Sequence, residues 1–225
     1  MSLHGLEKAK NILKLKGLIT NDPWDVVHGF ETLIANYCGS KYAISLDNCT
    51  NGIFLCLNYL GFKNKVIEIP SKTYLSVPQV ILQSENIPKF IDKEWSGIYQ
   101  LGDTSIYDAA GRMQKNMFLK DTFMCLSFHI RKNLPIGKGG MILTDSLFAY
   151  NWMYKAVYEG RDRRQPHDEI NNLEHMGWNM YMTPEQAAYG IELFNEYEKK
   201  SSTKDCTFSD KYVELKNFDI FKRFS

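Results

Sequence analysis

Apolar residues recur along this chain with two different spacings. Short apolar runs, typical of buried strands, alternate with stretches in which apolar residues return every three or four positions, as they do in a helix with one buried face. This alternation predicts an α/β fold with three layers, α/β/α, around a mainly parallel sheet. The strand-like runs are 42–46, 66–69, 88–92, 105–108, 123–126 and 141–143.

Capping residues mark where the predicted helices begin and end. Asp22 precedes Pro23, which suits an N-cap followed by the first helical position, and Gly39 suits the C-terminal cap. Residues 183–186 read Thr-Pro-Glu-Gln, the arrangement of a capping box. A further helix is predicted over 53–60, after a polar turn.

The predicted organisation has three parts. Residues 1–20 form an N-terminal helical extension, residues 21–198 form one large domain, and residues 199–225 form a short C-terminal tail. The large domain carries the strand and helix alternation, whereas the two ends are polar and short.

Composition excludes several classes of function. The chain has 225 residues, of which 44% are hydrophobic, and its formal net charge of +1 gives no basic field for nucleic acid or an anionic membrane. Its five cysteines are scattered without a C-x-x-C pair, which indicates free thiols rather than disulfides or a metal site. With no secretory signal and no membrane-spanning run, we expect a cytoplasmic protein that does not insert into membranes.

The candidate chemistry centres on Lys132, which follows the strand predicted over 123–126 and precedes a Gly-Lys-Gly-Gly turn at 137–140. A lysine that loses hydration there is more easily deprotonated, and the neutral amine is the form that Schiff-base chemistry requires. Taken alone, the pattern also fits a solvated loop lysine.

Thr50 and Asp108 also follow predicted strands. In open α/β sheets, sites form beyond the carboxyl ends of the strands, so both residues are expected near Lys132. The turn at 47–52 precedes a helix, whose free N–H groups suit a phosphate. An ordinary capped helix explains that turn equally well.

Residues 127–134 read Ser-Phe-His-Ile-Arg-Lys-Asn-Leu. This segment resembles the S-F-H-x-x-K-N-L motif of the DegT/DnrJ/EryC1 family of sugar aminotransferases, which depend on pyridoxal 5′-phosphate (PLP) and have fold type I. The resemblance runs, with gaps, from about Asp22 to Leu193. Its other motifs follow in the family's order: S-x-G-T at 47–50, P-S-x-T-aromatic at 70–74, D-A-A at 108–110 and G-x-N at 177–179.

The resemblance implies a role for each matching residue. Lys132 carries the cofactor as a Schiff base and Asp108 pairs with its ring nitrogen, so these two are the catalytic residues. The implied cofactor contacts also include Cys49, Thr50, Tyr74, Gly111, Ser127 and Asn179, of which Tyr74 stacks on the ring and Asn179 reaches the partner subunit's phosphate. The motif's His129 is the implied substrate-binding residue, and no metal is implied.

The chain departs from the family pattern at several points. Gly111 stands where the family has glutamine or histidine, Lys138 replaces an acidic residue, and Cys49 replaces a glycine. The segment between the strand at 88–92 and Asp108 is short, as though a strand–helix unit were deleted. The C-terminal small domain of the family is expected to be largely missing, which makes the chain a shortened member.

The implied activity is transfer of the glutamate amine to a 4-keto-6-deoxy-hexose carried on a nucleotide or lipid diphosphate. Such a reaction serves the synthesis of surface polysaccharide, including lipopolysaccharide, or of deoxyaminosugars, and the implied assembly is a homodimer. One alternative is a dimeric relic that binds PLP without turnover. Another is an α/β scaffold protein that binds no PLP.

Overall fold

The computed structural model describes residues 3–18, 21–200 and 203–224. Within these residues, no helix is both long and apolar enough to cross a membrane. The strands are β1 (Tyr42–Leu46), β2 (Val66–Pro70), β3 (Ile87–Ile91), β4 (Tyr99–Gln100), β5 (Ile106–Asp108), β6 (Phe123–Ser127) and β7 (Gly140–Thr144). The α-helices are α1 (Leu3–Leu15), α2 (Pro23–Cys38), α3 (Cys49–Tyr59), α4 (Ser76–Gln83), α5 (Leu147–Ala156) and α6 (Pro184–Tyr197).

The central strands contribute side chains to two apolar clusters, one on each face of the sheet. In β7, Met141 belongs to the cluster that includes α1, α2 and α6, whereas its neighbour Ile142 belongs to the cluster of α3, α4 and α5. Met124 and Cys125 of β6 divide in the same way. This alternation follows from the two-residue period of a strand, and it confirms the predicted three-layer α/β/α fold.

The main sheet, with strand order β1-β7-β6-β5-β4, is mixed rather than mainly parallel as predicted. Among these five described strands, only β5 and β6 pair in parallel, and the other three pairings are antiparallel. The reason is that residues 101–105 join β4 to β5, and residues 128–139 join β6 to β7, without a helix. Parallel neighbours need a longer crossover, usually through a helix, so the chain turns back beside β6. A separate parallel pair, β2 and β3, contacts the main sheet where Gly102 N–H donates to the Glu68 carbonyl oxygen (2.7 Å).

The caps at Asp22 and Thr183 form as predicted, each as a capping box. One helix begins earlier than predicted, because α3 starts at Cys49 rather than at residue 53. Its N-cap is Asn48, whose side chain accepts a hydrogen bond from Asn51 N–H (2.8 Å). The first turn of α3 therefore contains residues that were predicted to lie in a loop.

The chain returns to the sheet in what we call the C-terminal segment, residues 203–215. Its backbone binds the loops that follow the strands: Cys206 N–H donates to the Gly111 carbonyl oxygen (2.8 Å). Ser209 N–H donates to the Trp95 carbonyl oxygen (3.1 Å). The division at residues 20 and 198 stays a prediction, but this segment lies against the large domain.

Candidate active site

A cavity of about 1020 Å³ lies beyond the carboxyl ends of β1, β5 and β6. Its walls come from residues that follow these strands, from residues 73–77 after β2, and from the C-terminal segment. This is the edge of an α/β sheet at which sites are expected. Eight of the nine predicted site residues line it, and Asn179 does not; those eight are Cys49, Thr50, Tyr74, Asp108, Gly111, Ser127, His129 and Lys132.

Asp108 is the buried carboxyl group of the cavity, at the end of β5. Ala110 N–H donates to its Oδ1 and the Tyr99 hydroxyl donates to its Oδ2, both at 2.9 Å. Burial raises the pKa of Asp108, while these two hydrogen bonds and the charge of Lys132 act in the opposite direction. The carboxyl group is therefore fixed in place and within electrostatic reach of Lys132.

Tyr99 supports Asp108 through a short chain of hydroxyl groups. Its hydroxyl lies 2.6 Å from Thr73 Oγ1, and because Tyr99 donates to Asp108, Thr73 is the donor to Tyr99. Burial raises the pKa of Tyr99 well above its ordinary value, so the phenol keeps its proton. Tyr99 reaches this place through the pairing of β4 with β5, in which it lies opposite Asp108.

One wall of the cavity combines hydroxyl groups with the start of α3. Thr50, in the first turn of α3, has its Oγ1 2.7 Å from the Ser76 Oγ at the start of α4. Ser127, at the end of β6, also lines the cavity. A helix start has free N–H groups and the positive end of the helix dipole, so this wall suits an anion such as a phosphate.

Lys132 lies in the loop between β6 and β7, and it is partly buried. Both ends of the loop are tied at Phe128, which donates from N–H to the Gly139 carbonyl oxygen (2.9 Å) and accepts from Gly137 N–H (3.1 Å). The charge of Lys132 opposes the burial-driven rise in the pKa of Asp108 and also in that of Cys49. Lys132 and the buried Asp108 therefore line the same cavity and interact electrostatically.

The family model described as "DegT/DnrJ/EryC1/StrS aminotransferase family" matches residues 6–100 and 108–222. The chain belongs to this family. The unmatched residues 101–107 lie in the segment that the sequence identifies as shortened.

Several known proteins are similar to this family member. The uncharacterized protein MJ1066 of Methanocaldococcus jannaschii is 45% identical over 65 residues, which are 28% of this chain and 17% of MJ1066. The structure of DesI in the presence of its TDP-sugar product matches with a TM-score of 0.65 and 17% identity, over 88% of this chain and 59% of DesI. NtdA of Bacillus subtilis, with bound cofactor PMP, matches with a TM-score of 0.62 and 19% identity, over 88% of this chain and 54% of NtdA. At these identities the structures show the fold, and the chain spans less than two thirds of their length.

Two departures from the family motifs have a clear structural setting in this aminotransferase family member. Cys49, in place of a glycine, is buried, and its Sγ lies 3.3 Å from the Cys125 carbonyl oxygen. Burial raises the pKa of Cys49 well above its ordinary value, so it is a packed thiol and not a nucleophile. Lys138, in place of an acid, lies 3.7 Å from the Asp47 carboxylate at the rim.

Asn179 lies outside the cavity of its own chain. Its side chain is exposed, and its Nδ2 donates to the Glu159 carboxylate (3.1 Å). Its backbone pairs with Tyr158 in an isolated β-bridge. Among the described residues of one chain, it therefore contacts none of the groups around Lys132.

Sequence reasoning missed part of the cavity lining. Thr73 belongs to the P-S-x-T-aromatic motif at 70–74 and Ser76 follows it by two residues, so their positions after β2 were a usable signal. The C-terminal segment carries no motif and no apolar period, and only the fold brings it to the cavity. The missed lining residues include Thr73, Ser76, Trp95, Thr207, Lys211 and Tyr212.

Proposed function

We propose that this chain binds PLP in the cavity and catalyses amine transfer. The observation that carries the proposal is that Lys132 and the buried Asp108 line one cavity, beside a wall suited to phosphate. These groups fit the three reactive parts of the cofactor: an amine for its aldehyde carbon, a carboxylate for its ring nitrogen and an anion pocket for its phosphate. PLP supplies the electron sink on which such transfers depend.

Each residue then has a defined task. Lys132 would hold the cofactor through its amine and, as a free amine, would move a proton as a general acid and base. Asp108 keeps the ring nitrogen protonated, and Tyr99 keeps Asp108 in place. The hydroxyls of Thr50 and Ser127, with the start of α3, take the phosphate.

The proposed substrates are glutamate and a 4-keto-6-deoxy-hexose on a nucleotide or lipid diphosphate. The TDP-sugar product that accompanies DesI in its structure supports a carrier with a diphosphate. So do three cations that line the cavity, Arg131, Lys138 and Lys211, because such side chains bind phosphate oxygens. We place the reaction in the cytoplasm, in the synthesis of surface polysaccharide or of deoxyaminosugars, and the five free cysteines suit that reducing compartment.

An absorbance spectrum tests this function directly. We expect the purified protein with PLP to absorb in the visible range, to lose that band when glutamate is added, and to recover it with a suitable keto-sugar diphosphate. A visible band that does not change when glutamate is added identifies a PLP-binding protein without turnover. A spectrum equal to that of free PLP, together with no retention of PLP on gel filtration, contradicts the proposal.

We also propose a homodimer in which Asn179 reaches the partner's phosphate, because within its own chain it is exposed and does not line the cavity. Asn179→Ala is expected to weaken PLP binding by about 1–3 kcal/mol, the loss of a hydrogen bond to a charged group. The measurements are PLP titration and analytical ultracentrifugation across a dilution series. Asn172→Ala, another exposed asparagine of the same region, is the control. A monomer that retains PLP at full occupancy argues against this arrangement.

A further inference from the structure

The cavity carries more positive charge than PLP requires. In the proposed function PLP engages Lys132 and Asp108, and the wall at the start of α3 takes its phosphate. Arg131, Lys138 and Lys211 also line the cavity, and among its described lining residues Asp108 is the only acid. The volume of about 1020 Å³ lies at the upper end for small-molecule sites. The remaining charge and space fit a second, anionic ligand beside PLP.

Lys211 differs from the other two unassigned cations because it belongs to the C-terminal segment, whereas they lie in the loop between β6 and β7. Its side chain is 71% exposed, and its Nζ lies 3.7 Å from the carboxylate of Asp210, which is equally exposed and does not line the cavity. An exposed ion pair contributes little, so the ammonium group can exchange it for a phosphate oxygen. Lys211 is therefore available to a ligand at the mouth of the cavity.

The backbone that carries Lys211 is held on both sides. Before it, Arg112 donates to both carboxylate oxygens of Asp205, at 2.8 and 2.7 Å, and such two-point pairs fix orientation as well as distance. After it, Leu215 is buried, and its N–H donates to the Ser71 carbonyl oxygen (2.9 Å). A segment fixed in this way presents its side chains to a ligand at a small cost in conformational entropy.

Tyr212, the next residue, also lines the cavity and is half-buried. Its ring centre lies 5.5 Å from that of Trp95, whose indole N–H donates to the Lys72 carbonyl oxygen (2.9 Å). Burial and the charge of Asp108 raise the pKa of Tyr212 to about 12, so the phenol keeps its proton at neutral pH. Tyr212 thus offers an apolar ring and a hydroxyl donor, a combination that suits a sugar.

We infer that Lys211 and Tyr212 are further substrate-binding residues, in which Lys211 binds the diphosphate of the keto-sugar substrate and Tyr212 contacts the sugar attached to it. The inference rests on the proposed function, that the cavity accepts such a substrate. The sugar carbon that receives the amine must come to Lys132, so the diphosphate lies farther out, where the exposed Lys211 can meet it. The C-terminal segment then forms part of the substrate site that the shortened chain would otherwise lack.

The test measures the binding of unreactive probes to the PLP-loaded, full-length protein by calorimetric titration. The probes are TDP, TDP-glucose, which has no keto group, and farnesyl diphosphate, which represents a lipid carrier. We expect Lys211→Ala to weaken the binding of TDP and TDP-glucose by about three- to ten-fold. Tyr212→Phe keeps the ring beside Trp95 and should weaken TDP-glucose by about two- to ten-fold while TDP binds as before. Lys204→Ala, at an exposed position of the same segment outside the cavity lining, is the control.

The three probes also distinguish the carriers. Tighter binding of farnesyl diphosphate than of TDP, with the same loss in Lys211→Ala, assigns the pair to a lipid carrier and supports the inference. A wild type that responds to glutamate but binds none of the probes, or a Lys211→Ala variant that binds them all like the wild type, overturns the inference while the proposed function stands. So does a Lys211→Ala variant whose main loss is in the response to glutamate. If the wild type neither retains PLP nor responds to glutamate, the proposed function falls and the inference falls with it.

Discussion

Replacing Lys132 with alanine is expected to lower amine transfer by at least about 10²–10⁴-fold, because the variant loses the group that moves the proton as well as the covalent hold on PLP. The variant should still bind PLP through the wall formed by Thr50, Ser127 and the start of α3. It should not form the covalent bond that borohydride reduces and traps. Reduction of the wild type followed by peptide mapping should place the added pyridoxyl mass on Lys132.

Lys138→Ala is the matched control, since Lys138 lines the same cavity but lies at its rim, 66% exposed and beside Asp47. This variant should keep the trapped cofactor and the response to glutamate. A pyridoxyl mass on Lys138, or a Lys132→Ala variant that transfers amines at the wild-type rate, removes Lys132 from its assigned role.

Much of this fold is predictable because its signals are local. Asp22 and Thr183 cap helices through contacts within three residues, and such contacts depend little on the rest of the chain. The three layers follow from the strand period, which divides neighbours such as Met141 and Ile142 between two faces. Eight predicted site residues meet at one cavity because strand ends in an α/β sheet share an edge.

The antiparallel direction of β7 was not predicted, although the sequence contains a signal for it. Residues 128–139 contain no apolar period of a helix, and strands joined without a helix run antiparallel. The motif in this loop indicates chemistry, and the prediction used it only for that purpose. The length of the loop, however, decides the topology. The absence of a crossover helix between β6 and β7, and no feature of β7 itself, identifies β7 as antiparallel to β6.

Other parts of the cavity depend on contacts between distant residues. The two-residue strand β4 is too short to show a period, so the position of Tyr99 opposite Asp108 emerges only from the pairing of β4 with β5. Thr207 depends on an ion pair between Arg112 and Asp205, which are 93 positions apart. No local pattern encodes such a pair, and sequence reasoning therefore treated this segment as a tail.

Asp108→Asn is expected to slow the half-reaction with glutamate by about 10²–10³-fold, the usual effect of removing one fixed electrostatic group from an active site. An amide has no negative charge to keep the ring nitrogen protonated, so the electron sink is weakened. The measurement is the rate at which the visible absorbance of the PLP-loaded variant falls after mixing with glutamate.

The two donors that hold Asp108 make this test sharper. Both the Ala110 N–H and the Tyr99 hydroxyl need an acceptor, and an asparagine side chain offers only one oxygen. Thermal unfolding must therefore be compared with that of Asp103→Asn, an exposed acid nearby that does not line the cavity. If Asp108→Asn folds, binds PLP and reacts with glutamate at the wild-type rate, the carboxylate has no part in the chemistry and serves only to anchor Tyr99.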